Sequence, residues 1–324
     1  MSSHLHPLRS WLGRPAVALL AAAALLPGCG AGAGEAVTGV TLTVSSGFGA
    51  SNLKTFPTPK VAGEDTVLRL LQRNTEVESR DGGGFVTAIN GTKSGAVDGE
   101  QHDWTYYVDG VAADRGAAAW RLRSGEQVWW DFHASDAFPG GTPAVVGAYP
   151  RPLAGGFDGR HPTTMIRCAD PDRAACTTVT ERLTAAGAKL VPGTPAGSPA
   201  TDAGQQAPIQ VIVARIDQLA GFGPEAASLR AGPEESGVFA RITGDRTLEG
   251  LDQRGKTVTS SATSTGIVAA IRRSTNAPVW IVAGTDDQGL RRAAKALDED
   301  QLRHRAAVIV DQRGARGIPE GPTG

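Results

Sequence analysis

The chain has 324 residues and a formal charge of −1, long enough for two ordinary domains and too near neutral to offer nucleic acid a basic surface. Gly (42) and Pro (20) together stay below the ~25–30 % that marks disorder, so a folded protein rich in loops is expected.

Arg9 and Arg14 precede an unbroken apolar run of 11 residues from Ala16 to Leu26, and Pro27-Gly28-Cys29 follows. A basic start, a short apolar stretch and small residues before a cleavage point read as a secretory signal. As a helix the run would span only ~17 Å of a ~30 Å bilayer core, so no permanent transmembrane helix is expected there. The Leu-x-Gly-Cys ending resembles a bacterial lipobox. That implies removal of residues 1–28, a diacylglycerol on the Cys29 thiol, and residues 29–36 as a tether. At ~0.8 kcal/mol per buried CH2, two or more chains give a durable anchor. The expected address is the cell membrane, lipid-anchored, on its extracytoplasmic face.

Residues 37–133 read as a first domain. Val40, Leu42 and Val44 alternate with Thr and Ser as in a half-buried strand. Glu64-Asp65-Thr66 then caps a short helix carrying Val67, Leu68, Leu70 and Leu71. Gly82-Gly83-Gly84 leads into a strand, Phe85–Ile89, closed by Asn90-Gly91. Another runs from Trp104 to Val108 and ends on the turn pair Asp109-Gly110. Trp120-Arg121-Leu122 and Val128–Phe132 complete a mixed sheet of about five strands crossed by one helix, a β-grasp-like arrangement.

Three segments carry a family resemblance: Gly82-Gly83-Gly84-Phe85-Val86, Trp104-Thr105-Tyr106-Tyr107-Val108-Asp109-Gly110 and Gly125-Glu126-Gln127-Val128-Trp129-Trp130. They resemble a bacterial domain-of-unknown-function family related to the C-terminal β-domain of transcobalamin and intrinsic factor. Asp109 stands where that family commonly has Asn; both residues tolerate positive φ, so the turn is expected to survive. With Pro143-Ala144-Val145-Val146-Gly147 following, the layout looks like an actinobacterial subgroup of such lipoproteins. The resemblance implies a corrinoid or related tetrapyrrole as the ligand class to consider, handed to a transporter. In that family a helical barrel supplies the other side of the site, and this chain has none.

Residues 143–312 differ in character. Strand-like runs at 163–167, 209–214, 238–242, 279–283 and 306–310 alternate with helix patterns at 173–186, 264–273 and 287–302. An α/β layer with a partly parallel sheet is expected, so the chain as a whole is α+β. Residues 192–206 read as an exposed loop and 313–324 as a loose tail. With Cys29 in the anchor, Cys168 and Cys176 form an even pair in an oxidising compartment, read as a disulfide. A zinc site is the rival reading, but no His lies near them in sequence.

Four of the six tryptophans cluster with two tyrosines between Trp104 and Trp130. Period-two alternation sends Trp104 and Tyr106 to one face and Tyr107 to the other, and separates Trp129 from Trp130. One face packed on one helix cannot bury both sets. Either the second domain covers the remaining rings or they form an open docking platform. The candidate ligand contacts are Phe85, Trp104, Tyr106, Tyr107, Trp120, Trp129 and Trp130.

Support for chemistry is thin. The histidines (His4, His6, His102, His133, His161 and His304) never pair at ligand spacing, and no G-x-S-x-G or H-E-x-x-H occurs. His133 beside Asp131 is the best acid–base candidate, although such groups on a Trp-rich strand more often serve structure. The run Thr257–Gly266 and the turn Gly284-Thr285-Asp286-Asp287 read mainly as helix caps, without a phosphate-loop fingerprint. The expected protein is therefore a non-catalytic envelope component without cofactor or metal. Its partners would be the membrane, through its anchor, and a small molecule or another envelope protein. A surface adhesion module and an envelope hydrolase are the alternatives.

Overall fold

The structure is a computed structural model that describes residues 36–135, 142–170, 173–193, 207–273 and 276–320. The signal segment 1–28, Cys29, most of the tether and most of the 192–206 loop lie outside these described residues.

The first domain opens with β1 (Thr41–Ser46) and β2 (Ser51–Phe56), then α1 (Val67–Asn74). The Thr66 hydroxyl accepts from Arg69 N–H and caps α1, whose Val67, Leu68, Leu70 and Leu71 are all buried. There follow β3 (Val77–Arg80), β4 (Phe85–Ile89), β5 (Thr92–Lys93), β6 (Gly95–Val97), β7 (Glu100–Val108), β8 (Val111–Ala112) and β9 (Gln127–Ala134). The main sheet has the order β2-β1-β9-β7-β6, with β8 on β7; β3, β4 and β5 form a separate antiparallel sheet. First and last strands of the domain, β1 and β9, lie parallel at the centre, so the sheet is mixed as the β-grasp-like arrangement predicted from the sequence requires. Trp120–Leu122 makes no strand: only an isolated bridge joins Arg121 to Thr66. Trp120 and Leu122 are nonetheless buried beside α1, so their hydrophobicity marked core and not sheet.

The second domain contains β10 (Thr164–Cys168), α2 (Ala174–Ala185), β11 (Leu190–Val191), β12 (Ile209–Arg215), α3 (Pro224–Ala231) and α4 (Pro233–Ser236). It continues with β13 (Ala240–Thr243), β14 (Thr247–Leu251), β15 (Thr257–Ser261), β16 (Gly266–Ile271), β17 (Val279–Gly284), α5 (Asp287–Ala296), α6 (Glu299–Leu302), β18 (Ala307–Asp311) and β19 (Gly314–Ile318). Its seven-stranded sheet runs β11-β10-β12-β17-β16-β18-β19, parallel from β11 to β17 and antiparallel beyond. The strands β13, β14 and β15 form a small antiparallel sheet. Asp286 caps α5 by accepting from Gly289 N–H at 2.8 Å, as its turn suggested.

Three expectations are corrected here. The helix predicted over 264–273 is the strand β16, every residue of which is buried between β17 and β18. The run Thr257–Ser261, read as part of a helix cap, is the strand β15. The loose tail of residues 313–324 contains β19, which pairs with β18 along its whole length. Cys168 and Cys176 are joined by a disulfide, with their Cα atoms 6.1 Å apart.

Candidate functional site

In the first sheet β7 and β9 place Tyr106 opposite Trp130, Tyr107 opposite Trp129, and Trp104 opposite Phe132. Alternation along each strand splits these rings. Trp104, Tyr106, Trp130 and Phe132 join Trp120 and the α1 leucines in one core, while Tyr107 and Trp129 join a core shared with the second domain. The open aromatic platform is therefore corrected: none of the six tryptophan and tyrosine side chains is more than 8 % exposed. α1 and β4 cover one face, and the second domain covers the other. Of the predicted contacts only Phe85 projects into solvent, at 60 % exposure.

Burial leaves an opening beside Trp104, Tyr106 and Trp130. A cleft of about 550 Å³ lies between β4 and β7, with Trp104, Tyr106 and Trp130 among its lining residues and Phe85 exposed on its β4 wall. That size falls within the ~300–1,000 Å³ of small-molecule sites. The Tyr106 and Trp130 rings stack 4.8 Å apart at 28°, and Trp104 lies 5.2 Å from Phe132. Such offset ring pairs hold one another's orientation as well as burying area. Trp104 Nε1 donates to the Thr92 carbonyl at 3.0 Å, and the Tyr106 hydroxyl donates to the Arg115 carbonyl at 2.6 Å. Burial pushes the Tyr106 phenol well above its ordinary value, so it stays protonated and keeps that bond. The Trp130 indole N–H is sealed from water and has no acceptor among the described residues.

The charges at this cleft were not foreseen. Arg80 lies over the Phe85 ring at 5.6 Å, and Arg115 pairs with Asp114 at 3.0 Å and Asp158 at 2.9 Å. With Asp103 also lining the cleft, two arginines face two aspartates, and the lining carries no net charge. No sequence signal marked these residues, because a charged side chain beside a turn ordinarily reads as solvated. Thr87, Ser94 and Thr105 add small polar groups. The site suits a ligand with a flat apolar body and a few hydrogen-bonding groups.

The other predicted residues lie elsewhere. Trp120 packs edge-on to Tyr106 behind the cleft, with Arg115 over its ring at 4.5 Å. Trp129 Nε1 donates to the Ser45 hydroxyl at 2.6 Å, on the far side of the sheet. Asp131 and His133 are both buried, 2.8 Å apart, with Phe48 stacked on the imidazole at 3.9 Å. Enclosed in this way, the pair has no room for a substrate. Among the described residues no three His, Cys, Asp or Glu side chains converge as metal ligands.

Comparisons with known proteins bear on the first domain. A crystal structure of "a putative metal binding protein" from Ruminococcus gnavus ATCC 29149 is similar over 29 % of this chain and 95 % of its own, at 18 % identity. Its TM-score of 0.24 is too low to support an argument. No curated protein matches. Residues 64–134, which contain all three motif segments, match the model of a family described as a domain of unknown function (DUF4430).

Proposed function

We propose that this is an exported, lipid-anchored envelope protein that binds and does not catalyse. Its cleft would take the edge of a flat, largely apolar small molecule of the corrinoid or tetrapyrrole class. The observation that carries the reading is the convergence of Phe85, Trp104, Tyr106 and Trp130 on one cleft of about 550 Å³. Four of the seven residues singled out by type alone meet there. A cleft of this size takes part of a macrocycle and leaves the rest for a transporter-type partner to cover. Export and anchoring at Cys29 rest on the basic-apolar-lipobox order of residues 1–29.

The test is a titration of tryptophan fluorescence with cyanocobalamin and with protoporphyrin, corrected for inner-filter absorption. Saturable quenching is expected, weakened about fivefold or more by Phe85→Ala, which removes an exposed ring at little cost to the core. Absence of saturable quenching by both compounds would falsify the ligand class. Mass spectrometry of the membrane-extracted protein tests the anchor: an uncleaved, unmodified amino terminus would overturn it.

A further inference from the structure

Residues 157–160 form a tight hairpin shortly before β10. Phe157 and Arg160 exchange main-chain bonds at 3.0 and 2.9 Å, with Asp158 at φ +49° and Gly159 at φ +67° between them. An Asp-Gly pair supplies that left-handed turn and sets residues 157 and 160 side by side. The Arg160 guanidinium accordingly lies over the Phe157 ring at 4.5 Å. Phe157 is buried in the same core as Ala270 and Trp280, which stand opposite each other in β16 and β17. Two residues beyond Ala270, just past the end of β16, Arg272 is only 9 % exposed.

These two arginines lack what buried cations ordinarily have. Arg160 Nε is sealed from water with no acceptor among the described residues, and the nearby Asp158 stands 3.8 Å from its guanidinium. Asp158 is already bonded to Arg115, at 2.9 Å. Arg272 donates from Nε to the Asn276 carbonyl at 2.8 Å and forms no ion pair among the described residues. Burial and the positive charge of Arg160 hold Arg272 below the usual guanidinium value, against the pull of Asp114 and Asp158. A guanidinium stays charged even so.

The charges at this corner do not cancel. Arg115, Arg160 and Arg272 face Asp114 and Asp158, and both carboxylates bond Arg115. Three cations against two anions leave one positive charge, on two guanidiniums without a bonded carboxylate. A buried cation left so costs stability until an anion completes it. The planar donors of arginine match the two oxygens of a carboxylate. One surplus charge suits a monoanion, whereas a dianion such as phosphate would be repelled by Asp114 and Asp158. The Arg160 side chain, 27 % exposed, leaves the site open to solvent. We propose that Arg160 and Arg272 form a binding site for the carboxylate of a small organic acid. It does not depend on what the aromatic cleft holds.

The experiment is an NMR titration of the arginine Nε–H signals of the whole protein with sodium acetate, at an ionic strength held constant with sodium chloride. Arg160→Gln and Arg272→Met each remove one signal and so assign the pair. Saturable shifts of both signals are expected at millimolar acetate, with none from chloride alone and binding of phosphate about tenfold weaker. In each variant, acetate binding read at the remaining signal is expected to weaken about tenfold. The proposal fails if acetate acts no differently from chloride, if phosphate binds more tightly than acetate, or if acetate affinity is unmoved in whichever of the two variants folds.

Discussion

Asp131 shows how one carboxylate can organise a buried corner. Its oxygens accept from the Ser45 hydroxyl, from Phe48 N–H at 2.7 Å, from Gly49 N–H at 2.9 Å and from His133 Nδ1 at 2.8 Å. A carboxylate accepts only, so His133 carries its proton on Nδ1. Four donors leave the buried charge well compensated, and the β1–β2 turn is fixed as a result. Asp109 is less comfortable. It sits at φ +52° in its turn, accepts from Gln127 N–H at 3.0 Å and pairs with Arg151 at 3.1 Å. Burial nevertheless pushes its carboxyl up to about 7, against the pull of Arg151 and that N–H. In the unfolded chain it ionises near pH ~4. Between these values folding takes up a proton, so the stability this residue contributes is present below about 4 and is lost as pH rises through about 7. Asp109→Asn keeps an acceptor for Gln127 and suits the same φ, but cannot titrate. Relative to the parent it is expected to gain as much as about 4 kcal/mol across that window. Urea unfolding of both proteins over the window checks this, and parallel pH profiles would contradict it.

At the scale of elements, the described ends of the connection between β10 and α2 are tied to one another and to α5. The Cys168–Cys176 disulfide closes it, and Arg173 joins it to Asp170 at 2.8 Å and to Asp287 at the start of α5. Replacing both cysteines by serine is expected to cost about 2.5 kcal/mol in the chain-entropy account of so short a loop. Equilibrium unfolding of the oxidised parent and the double variant measures it; a loss below about 0.5 kcal/mol would show that the ion pairs already hold the loop. The half of this motif that pairing rules could reach, an even pair of cysteines, was legible beforehand. So were α1, from its cap and its apolar spacing, and β7 and β9, from alternation and the Asp109-Gly110 turn. β16 was not, for a physical reason. Ile267-Val268-Ala269-Ala270-Ile271 is apolar on every side because strands pack against both its edges and its two faces lie in different cores. Such a run has no period of its own, and a buried helix and a buried strand look alike in it. β19 was hidden differently: Gly314-Ala315-Arg316-Gly317 has almost no side-chain signal, and backbone pairing with β18 decides its structure.

For the molecule as a whole, the decisive fact is which face of the first sheet the second domain covers, and no local pattern carries that information. Alternation separated Tyr107 and Trp129 from Trp104 and Trp130 correctly, yet left open whether the second domain covers the former pair. It does, through a large apolar cluster in which Phe48, Tyr107 and Trp129 pack with Ile212, Phe239 and Ile309. Residues 37–133 and 143–312 thus share a core, and main-chain bonds reinforce it: Val145 N–H donates to the Gly110 carbonyl at 2.9 Å and Ala112 N–H to the Pro143 carbonyl at 3.0 Å. Gly49 is the tightest point of this contact. It has φ +84°, and a Cβ there would run into the His304 carbonyl oxygen, with Trp129 behind. In an unstrained site Gly→Ala stabilises by about 0.4–1 kcal/mol, because the unfolded chain loses freedom. Here the sign reverses, since the methyl group can be housed only by moving the β1–β2 turn away from the backbone of the second domain. Gly49→Ala is expected to cost about 2–4 kcal/mol. Because the core is common to both regions, the loss is expected to lower one cooperative transition, with near-UV signals from the buried tryptophans and far-UV signals from the backbone moving together. A midpoint that stays put or rises would mean that the turn is free to yield at His304 and that the two regions are joined by apolar area alone.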